Sequence, residues 1–507
     1  MTVYSVNLGI GWASSGVEYA QKYRAAAFKK AGIDAKFIFS DMILADNIEA
    51  LTKNMGFDDN QIIWLYNFFT NVKIAPSAYT IADLEKELGL NNRKVSSKKI
   101  VNHQMVYLLE DENLAIVARF SDEGKQTVDQ VTYLRNNILL KRDFYSYTKY
   151  AREYYLGVKD NYVTVREFYN EDGSVAYVEH LNNDQETFEF TNGEVFYSKN
   201  DLYREMIRRL RLTRDDVIIM DREDEDKNLI NGQIIFEEHR PAKLLVAIHA
   251  DHFSKEQTTD DHILWNNFYE YQLTHSTEVD GYIVATEAQK QVLARQLKKY
   301  FDITPRIICI PVGNIAQLKG AAPDIKPYSV ITASRLAKEK HVDWLVKAVV
   351  EAKKQVLDLS FDIYGQGGES GKLQDLITQN GAQSYIRLMG QYDLTNVYAK
   401  YGAYIAASTS EGFGLSLMEA VGSGLPMIGF DVPYGNPTFI DDGQNGYLLP
   451  YKADWSDEKK IDELRDAIIK LFTKSDIIKF REHSYGIAQN YLLEHIADEW
   501  KKTLEEL

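Results

Sequence analysis

Two glutamates, Glu411 and Glu419, stand eight residues apart in Ser410-Glu411-Gly412-Phe413-Gly414-Leu415-Ser416-Leu417-Met418-Glu419-Ala420. Eight residues are a little over two helical turns, roughly 12 Å if the segment is wholly helical, so both carboxylates can face one side of it. That separation suits the two sugars of a nucleotide-sugar. Gly412 and Gly414 remove side chains where a ligand would approach, and the amides of Phe413, Gly414 and Leu415 open a helix, a place that favours a pyrophosphate. By itself the Glu-x7-Glu spacing is equally that of two surface carboxylates.

A second group is cationic. Arg335 and Lys340, in Ser334-Arg335-Leu336-Ala337-Lys338-Glu339-Lys340-His341, follow one strand and precede a helix. Two fixed cations there can stabilise a departing phosphate where a divalent metal otherwise would, although an isolated stretch of this kind also reads as a solvated loop. In Ile386-Arg387-Leu388-Met389-Gly390, the backbone of Leu388, Met389 and Gly390 offers a uracil edge its partners, or is simply a buried strand end. Tyr364-Gly365-Gln366-Gly367-Gly368 lacks the dinucleotide spacing of glycines and reads as a tight turn. His249 ends the apolar run Ala247-Ile248-His249, and Gly16 opens the first helix, where it can approach phosphates. The acidic run Asp221-Arg222-Glu223-Asp224-Glu225-Asp226 reads as a solvated loop and no metal site, since nothing nearby supplies a nucleotide cradle. Cys309, in Ile307-Ile308-Cys309-Ile310, reads as a buried strand residue without chemistry.

These residues need strand ends to hold them, and the chain supplies two series. Thr2 to Val6, the glycines after it, a helix from Val17 to Lys30 and a strand from Ile33 to Phe39 make a βαβ opening, which implies a parallel sheet. From about residue 76 short alternating runs rich in tyrosine and phenylalanine, separated by Asp, Asn and Gly, read as an antiparallel meander. The α/β grammar then resumes, and a second series begins near Pro327. The fold class expected is α/β: two facing Rossmann-like doubly wound domains with an antiparallel β-meander inserted in the first. The boundaries expected are 1–75 and 214–315 for the first domain, 76–213 for the insertion, 316–485 for the donor domain and 486–507 for a closing helix. The meander is expected to bind protein, because its aromatic alternation exceeds what one folded face requires; the alternative is that the rings form its own core.

Fifty-eight basic and seventy-four acidic side chains among 507 residues give a net charge of −16, which disfavours nucleic acid as a partner. The first eleven residues lack the basic leader and apolar stretch of a signal peptide, and a single cysteine suits a reducing compartment, so a cytoplasmic protein is expected.

Taken together, the placement of Arg335, Lys340, Glu411 and Glu419 resembles the retaining GT-B glycosyltransferases related to glycogen synthase and sucrose synthase. The resemblance implies that Arg335 and Lys340 grip the pyrophosphate, that Glu411 with the Phe413 to Leu415 amides holds the transferred sugar, that Glu419 holds the ribose, and that His249 touches the donor sugar near its reactive carbon. The aromatic insertion, Asn7-Leu8-Gly9-Ile10-Gly11 and Gly16-Val17-Glu18-Tyr19 are similar to the GtfA family of accessory-secretion glycosyltransferases, with Gly16, Val17, Glu18 and Tyr19 joining the donor site. One departure is that Gly16 follows Ala13-Ser14-Ser15, where the family often has paired glycines. The family implies transfer of N-acetylglucosamine from UDP-GlcNAc to serine and threonine of a serine-rich repeat adhesin, the first step of its O-glycosylation. It also implies a non-catalytic homologue, GtfB, as partner, no cofactor and no metal. Its setting is compatible with peripheral placement at the inner face of the cell membrane through that complex. The competing expectations are a polysaccharide or glycolipid transferase of the same fold and a non-catalytic sugar-binding chaperone.

Overall fold

Val217–Met220, Ser329–Ala333 and Met427–Phe430 are buried along their whole length, without the alternation of a half-exposed strand. Such strands need helices on both faces, and a parallel sheet supplies that arrangement. The structure, a computed structural model, describes residues 1–11, 16–156, 162–182, 185–221 and 230–507. Its contacts divide the chain into two compact units, Met1–Ala25 with Asp34–Val246, and Ala26–Ile33 with Ala247–Leu507.

In the first unit Val3–Asn7 lies in parallel between Ala35–Phe39 and Val217–Met220, so a strand from beyond the insertion returns beside the first one. Ile62–Trp64 extends one side and Lys243–Ile248, which carries the chain into the second unit, extends the other. The helix Gly16–Ala31 follows the first strand. Below its first turns Arg24 pairs with Asp221 at 2.6 Å, both buried, and Gln21 links Asp221 to Asn7 through bonds of 2.6 and 3.1 Å. Asp221, read as part of a solvated loop, is thus a buried ion-pair partner; Arg222 to Asp226, like Ala13 to Ser15, lie outside the described residues.

The insertion is an antiparallel sheet whose strands, Ser97–Val101 through Val195–Phe196, pair in strict chain order. Its aromatic residues are largely internal. Tyr66 stacks on Phe168 at 5.7 Å, Phe168 on Tyr177 at 4.6 Å and Tyr177 on Phe190 at 4.8 Å. The reading of these rings as surplus, exposed aromatics is therefore corrected: Tyr66 and Phe69, from the segment before the insertion, pack onto Phe168, Tyr177 and Phe190, and Ile81, Leu84 and Leu90 pack with Tyr107, Tyr133 and Tyr145. Tyr162 and Tyr197 remain exposed.

The second unit holds a six-stranded parallel sheet in the order Ile386–Gly390, Ser360–Tyr364, Ser329–Ala333, Ala403–Ile405, Met427–Phe430, Gly446–Leu449. Numbered along the chain this is 3-2-1-4-5-6, the doubly wound order. Its core is aliphatic and aromatic, with Leu345, Val349, Phe361, Ile405 and Phe430 fully buried. In the same unit Gly281–Val284 pairs in parallel with Ile307–Cys309, where burial and the nearby Glu287 charge push the Cys309 thiol up to about 12, so the thiolate is absent at neutral pH. The closing helix Leu493–Glu505 sets Trp500 edge-on to Phe28 at 5.1 Å. Among the described residues no helix is long and apolar enough to cross a membrane.

Candidate active site at the switch point of the second sheet

Ser329–Ala333 and Ala403–Ile405 are neighbours in the sheet, yet the connections that follow them run to opposite sides. A doubly wound sheet opens a crevice at that point, beyond the carboxyl ends of the strands. The segments carrying Arg335 and Lys340 follow the first strand, and the segment carrying Glu411 follows the second. They are tied together where the Thr409 amide donates to the Glu339 carbonyl at 3.1 Å.

Lys340 Nζ donates to the Glu411 carboxylate at 2.6 Å, with both side chains mostly buried, and Ser408 Oγ donates to the same carboxylate at 3.4 Å. Lys340 thereby offsets the Glu411 charge, so that a phosphate can come near a carboxylate without a full like-charge penalty. Arg335 differs. Its side chain is 74% exposed, is paired with Glu339 four residues on at 2.8 Å, and is available to an anion.

The backbone around Glu411 is fixed by an unusual pairing. Its carbonyl accepts from the amides of Tyr434 and Gly435 at 2.6 and 2.7 Å, and its amide donates to the Pro433 carbonyl at 3.1 Å. Gly414 adopts φ 87°, a left-handed conformation that side chains resist, and the helix begins only at Leu415. The 411–419 segment is therefore not one helix, as the eightfold spacing suggested. Gly414 interrupts it, leaving Glu411 on an extended bridge and Glu419 on the helix Leu415–Gly422, where it accepts from the Tyr398 hydroxyl at 3.0 Å. Phe413 is buried against Phe439 and Tyr491, which anchors the stretch whose amides face the helix start.

The glycine segment 365–368 proves to be scaffolding. Ser334 donates to the Tyr364 carbonyl at 3.1 Å and Leu336 to the Gln366 carbonyl at 2.9 Å, zipping the Arg335 segment onto it. A Cβ at Gly365 or Gly367 would overlap the Ser334 or Leu336 carbonyl. Gly365 in turn donates to Gly390 at 2.8 Å, so Leu388, Met389 and Gly390 join the same ledge. Beneath it, Arg387 makes two 2.7 Å bonds to the buried Asp362, which also accepts from Tyr401 at 2.6 Å.

His249 is in the second unit, immediately after Lys243–Ile248, and its amide donates to the Tyr269 hydroxyl at 3.1 Å. The Glu411 segment touches it directly: a Cβ on Gly412 would sit 2.5 Å from the His249 carbonyl oxygen. Beside this contact Ser410 Oγ donates to the Asp251 carboxylate. Burial raises the Asp251 carboxyl above its ordinary range and the Glu411 charge adds to that, opposed by the Ser410 bond. Burial, partly offset by Gln296, lowers the neighbouring His252 to about 4. Asp251 and Ser410 are the polar pair that spacing did not reveal; Asp251 stands two residues after His249, but nothing local marks it.

Arg335, Lys340, Glu411 to Leu415, Glu419, Leu388 to Gly390 and His249 thus all belong to the second unit. Gly16, Val17, Glu18 and Tyr19 form the opening turn of the helix Gly16–Ala31, with Val17 buried and Gly16 and Tyr19 exposed, and are part of the first unit. Among the described residues no cluster of three or more His, Cys, Asp or Glu is placed to hold a metal ion.

A family model for glycosyl transferases group 1 matches residues 327–474, and one for the GtfA extended beta-sheet domain matches residues 97–192. The chain is 57% identical, over 100% of its length and 99% of the relative's, to a UDP-N-acetylglucosamine–peptide N-acetylglucosaminyltransferase GtfA subunit of Limosilactobacillus reuteri subsp. suis. It is similar to the crystal structure of the pneumococcal O-GlcNAc transferase GtfA in complex with UDP and GlcNAc, at 46% identity and a TM-score of 0.94, covering 100% of this chain and 99% of that one. It is likewise similar to the crystal structure of a GtfA/B complex, at 48% identity and a TM-score of 0.92, with the same coverage.

Proposed function

The chain belongs to the GtfA family of UDP-N-acetylglucosamine–peptide N-acetylglucosaminyltransferases, and on that premise we propose that it transfers N-acetylglucosamine from UDP-GlcNAc to serine and threonine hydroxyls of a serine-rich repeat adhesin. The observation that carries the reading is the Lys340–Glu411 pair, set at the switch point of the sheet; Gly412 and Gly414, expected to leave room for a ligand, instead lie against the His249 carbonyl and the Leu417 side chain. A cation, a carboxylate and the amides of a helix start within one crevice suit a donor that has both a pyrophosphate and a hydroxyl-rich sugar.

In this reading Arg335, Lys340 and the helix start at Leu415 stabilise UDP as it departs, while Glu411 and the amides of Phe413, Gly414 and Leu415 hold the sugar. Glu419 holds the ribose and the ledge at Leu388 to Gly390 meets the uracil. His249 lies near the reactive carbon. The residues assigned to donor binding include no carboxylate left over for a covalent intermediate. The acceptor hydroxyl attacks from the face UDP leaves, a UDP phosphate oxygen takes its proton, and the α configuration is retained. No metal is required, because the two cations neutralise the leaving group. A homologue of the GtfB type is the partner, in a cytoplasmic complex that can lie peripherally at the membrane.

Mass spectrometry of a Ser/Thr-rich peptide incubated with a panel of UDP-sugars, with and without the partner, tests the reading. An added N-acetylhexosamine from UDP-GlcNAc is expected. Modification of oligosaccharides in preference to the peptide would favour the polysaccharide-transferase alternative, and a β-linked product by NMR would overturn front-face transfer.

A further inference from the structure

Asp251 has no part in the chemistry above, yet its carboxylate accepts from Ser410, the residue immediately before Glu411. The segment bearing it is firmly held. The Asp251 carbonyl accepts from Asn266 Nδ2 at 3.1 Å and the Ala250 carbonyl from Gln289 Nε2 at 2.8 Å. His252 is stacked against Trp265 and Tyr434, at 6.2 and 6.4 Å, and is bonded to Gln296 at 2.7 Å.

The segment it binds has no such internal support. Residues 409–414 form neither helix nor continuous strand, so their position depends on what fastens them. The fastenings are the Thr409 amide on Glu339, the Lys340 and Ser408 bonds to the Glu411 carboxylate, the backbone pairing of Glu411 with Pro433, Tyr434 and Gly435, the packing of Phe413 on Phe439 and Tyr491, and the Ser410 bond to Asp251. Among these, the Ser410 bond is the side-chain hydrogen bond that ties the segment to the strand end carrying His249. It sits two residues from the close approach of Gly412 to the His249 carbonyl. A carboxylate kept partly buried near a second carboxylate is costly to maintain, and such placements are retained where geometry is needed.

We propose that Asp251 is a positioning residue which, through Ser410, fixes the Glu411 carboxylate and the amides after it at a set distance from His249, and so aligns the donor sugar for attack. The proposal rests on the glycosyltransferase reading of this site. Misalignment by about 1 Å is enough to cost on the order of 100-fold in rate while leaving binding largely intact.

Steady-state kinetics of the full-length protein with its partner, UDP-GlcNAc and a Ser/Thr-rich peptide test it, using Asp251→Ala, Asp251→Asn, Ser410→Ala and the Asp251→Ala/Ser410→Ala double variant. Each alanine variant should lower kcat by about 10- to 100-fold with KM for UDP-GlcNAc changed less than about threefold. The double variant should be no slower than the worse single one, and Asp251→Asn, which still presents an oxygen to Ser410, should recover most of the rate. Should Asp251→Ala melt early or lose UDP binding by calorimetry, Ser410→Ala decides alone: wild-type kcat in that variant overturns the proposal. An Asp251→Asn variant as slow as Asp251→Ala beside a fully active Ser410→Ala also overturns it, since the charge and not the tether would matter. A wild-type protein inactive on every UDP-sugar overturns the glycosyltransferase reading itself, whereas active wild type with indifferent variants overturns the positioning role only.

Discussion

Arg335 and Lys340 share a segment but face different physical situations, and their variants should separate accordingly. Arg335 is exposed and only loosely paired, so Arg335→Ala should leave stability almost unchanged while losing about 3 kcal/mol of transition-state stabilisation, roughly a 100-fold fall in kcat/KM. Lys340 is mostly buried against Glu411. Lys340→Met should lower both activity and Tm, because it leaves a half-buried carboxylate without its counter-charge. Adding Glu411→Gln should recover much of the lost Tm without restoring turnover, as followed by melting curves and transfer assays on the two variants. Recovery of activity along with Tm would place the pair outside the reaction. Metal independence belongs to the same scale: on the proposal that Arg335 and Lys340 neutralise the leaving group, transfer should survive excess EDTA, and its loss with rescue by a divalent ion would refute the assignment.

At the scale of elements, the glycines at 365 and 367 matter for what they let approach. Gly365 has φ 130° and lies against the Ser334 carbonyl, so Gly365→Ala must displace the Arg335 segment. It should lower Tm by several degrees and weaken UDP binding in calorimetry, although the residue carries no polar side chain. The buried His252 makes the adjoining segment sensitive to acid. Its ring stays neutral in the folded state down to about pH 4, whereas an unfolded histidine takes up a proton near pH 6.5. Between those values the unfolded chain binds more protons, so stability should fall as pH drops from about 6.5 to 4, by up to about 3 kcal/mol. His252→Asn should show a shallower fall of Tm across that window; an unchanged slope would assign the acid sensitivity to other groups.

For the molecule as a whole, the buried rings change how the insertion is to be tested. Excising residues 76–213 would strip Tyr66 and Phe69 of Phe168, Tyr177 and Phe190, which they stack on or abut, and should give an insoluble protein. Replacing the exposed Tyr162 and Tyr197 by serine keeps that core and should leave Tm unchanged while weakening partner or acceptor binding, measured by calorimetry. Unaltered binding in that variant would remove these two residues from any interface. The sequence by itself determined the α/β grammar, the interrupting meander and the residue types of the candidate site, because strand burial, turn chemistry and cations at strand ends are written in local spacing. The tertiary structure decided the rest. The 3-2-1-4-5-6 order, which makes one crevice of segments some seventy residues apart, arises from sheet pairing that no local window encodes. The same holds for the break at Gly414 that separates Glu411 from the helix of Glu419, for the covering of the meander's rings and for Asp251 on Ser410. Each depends on which distant surfaces meet, and that is settled only when the sheets are assembled.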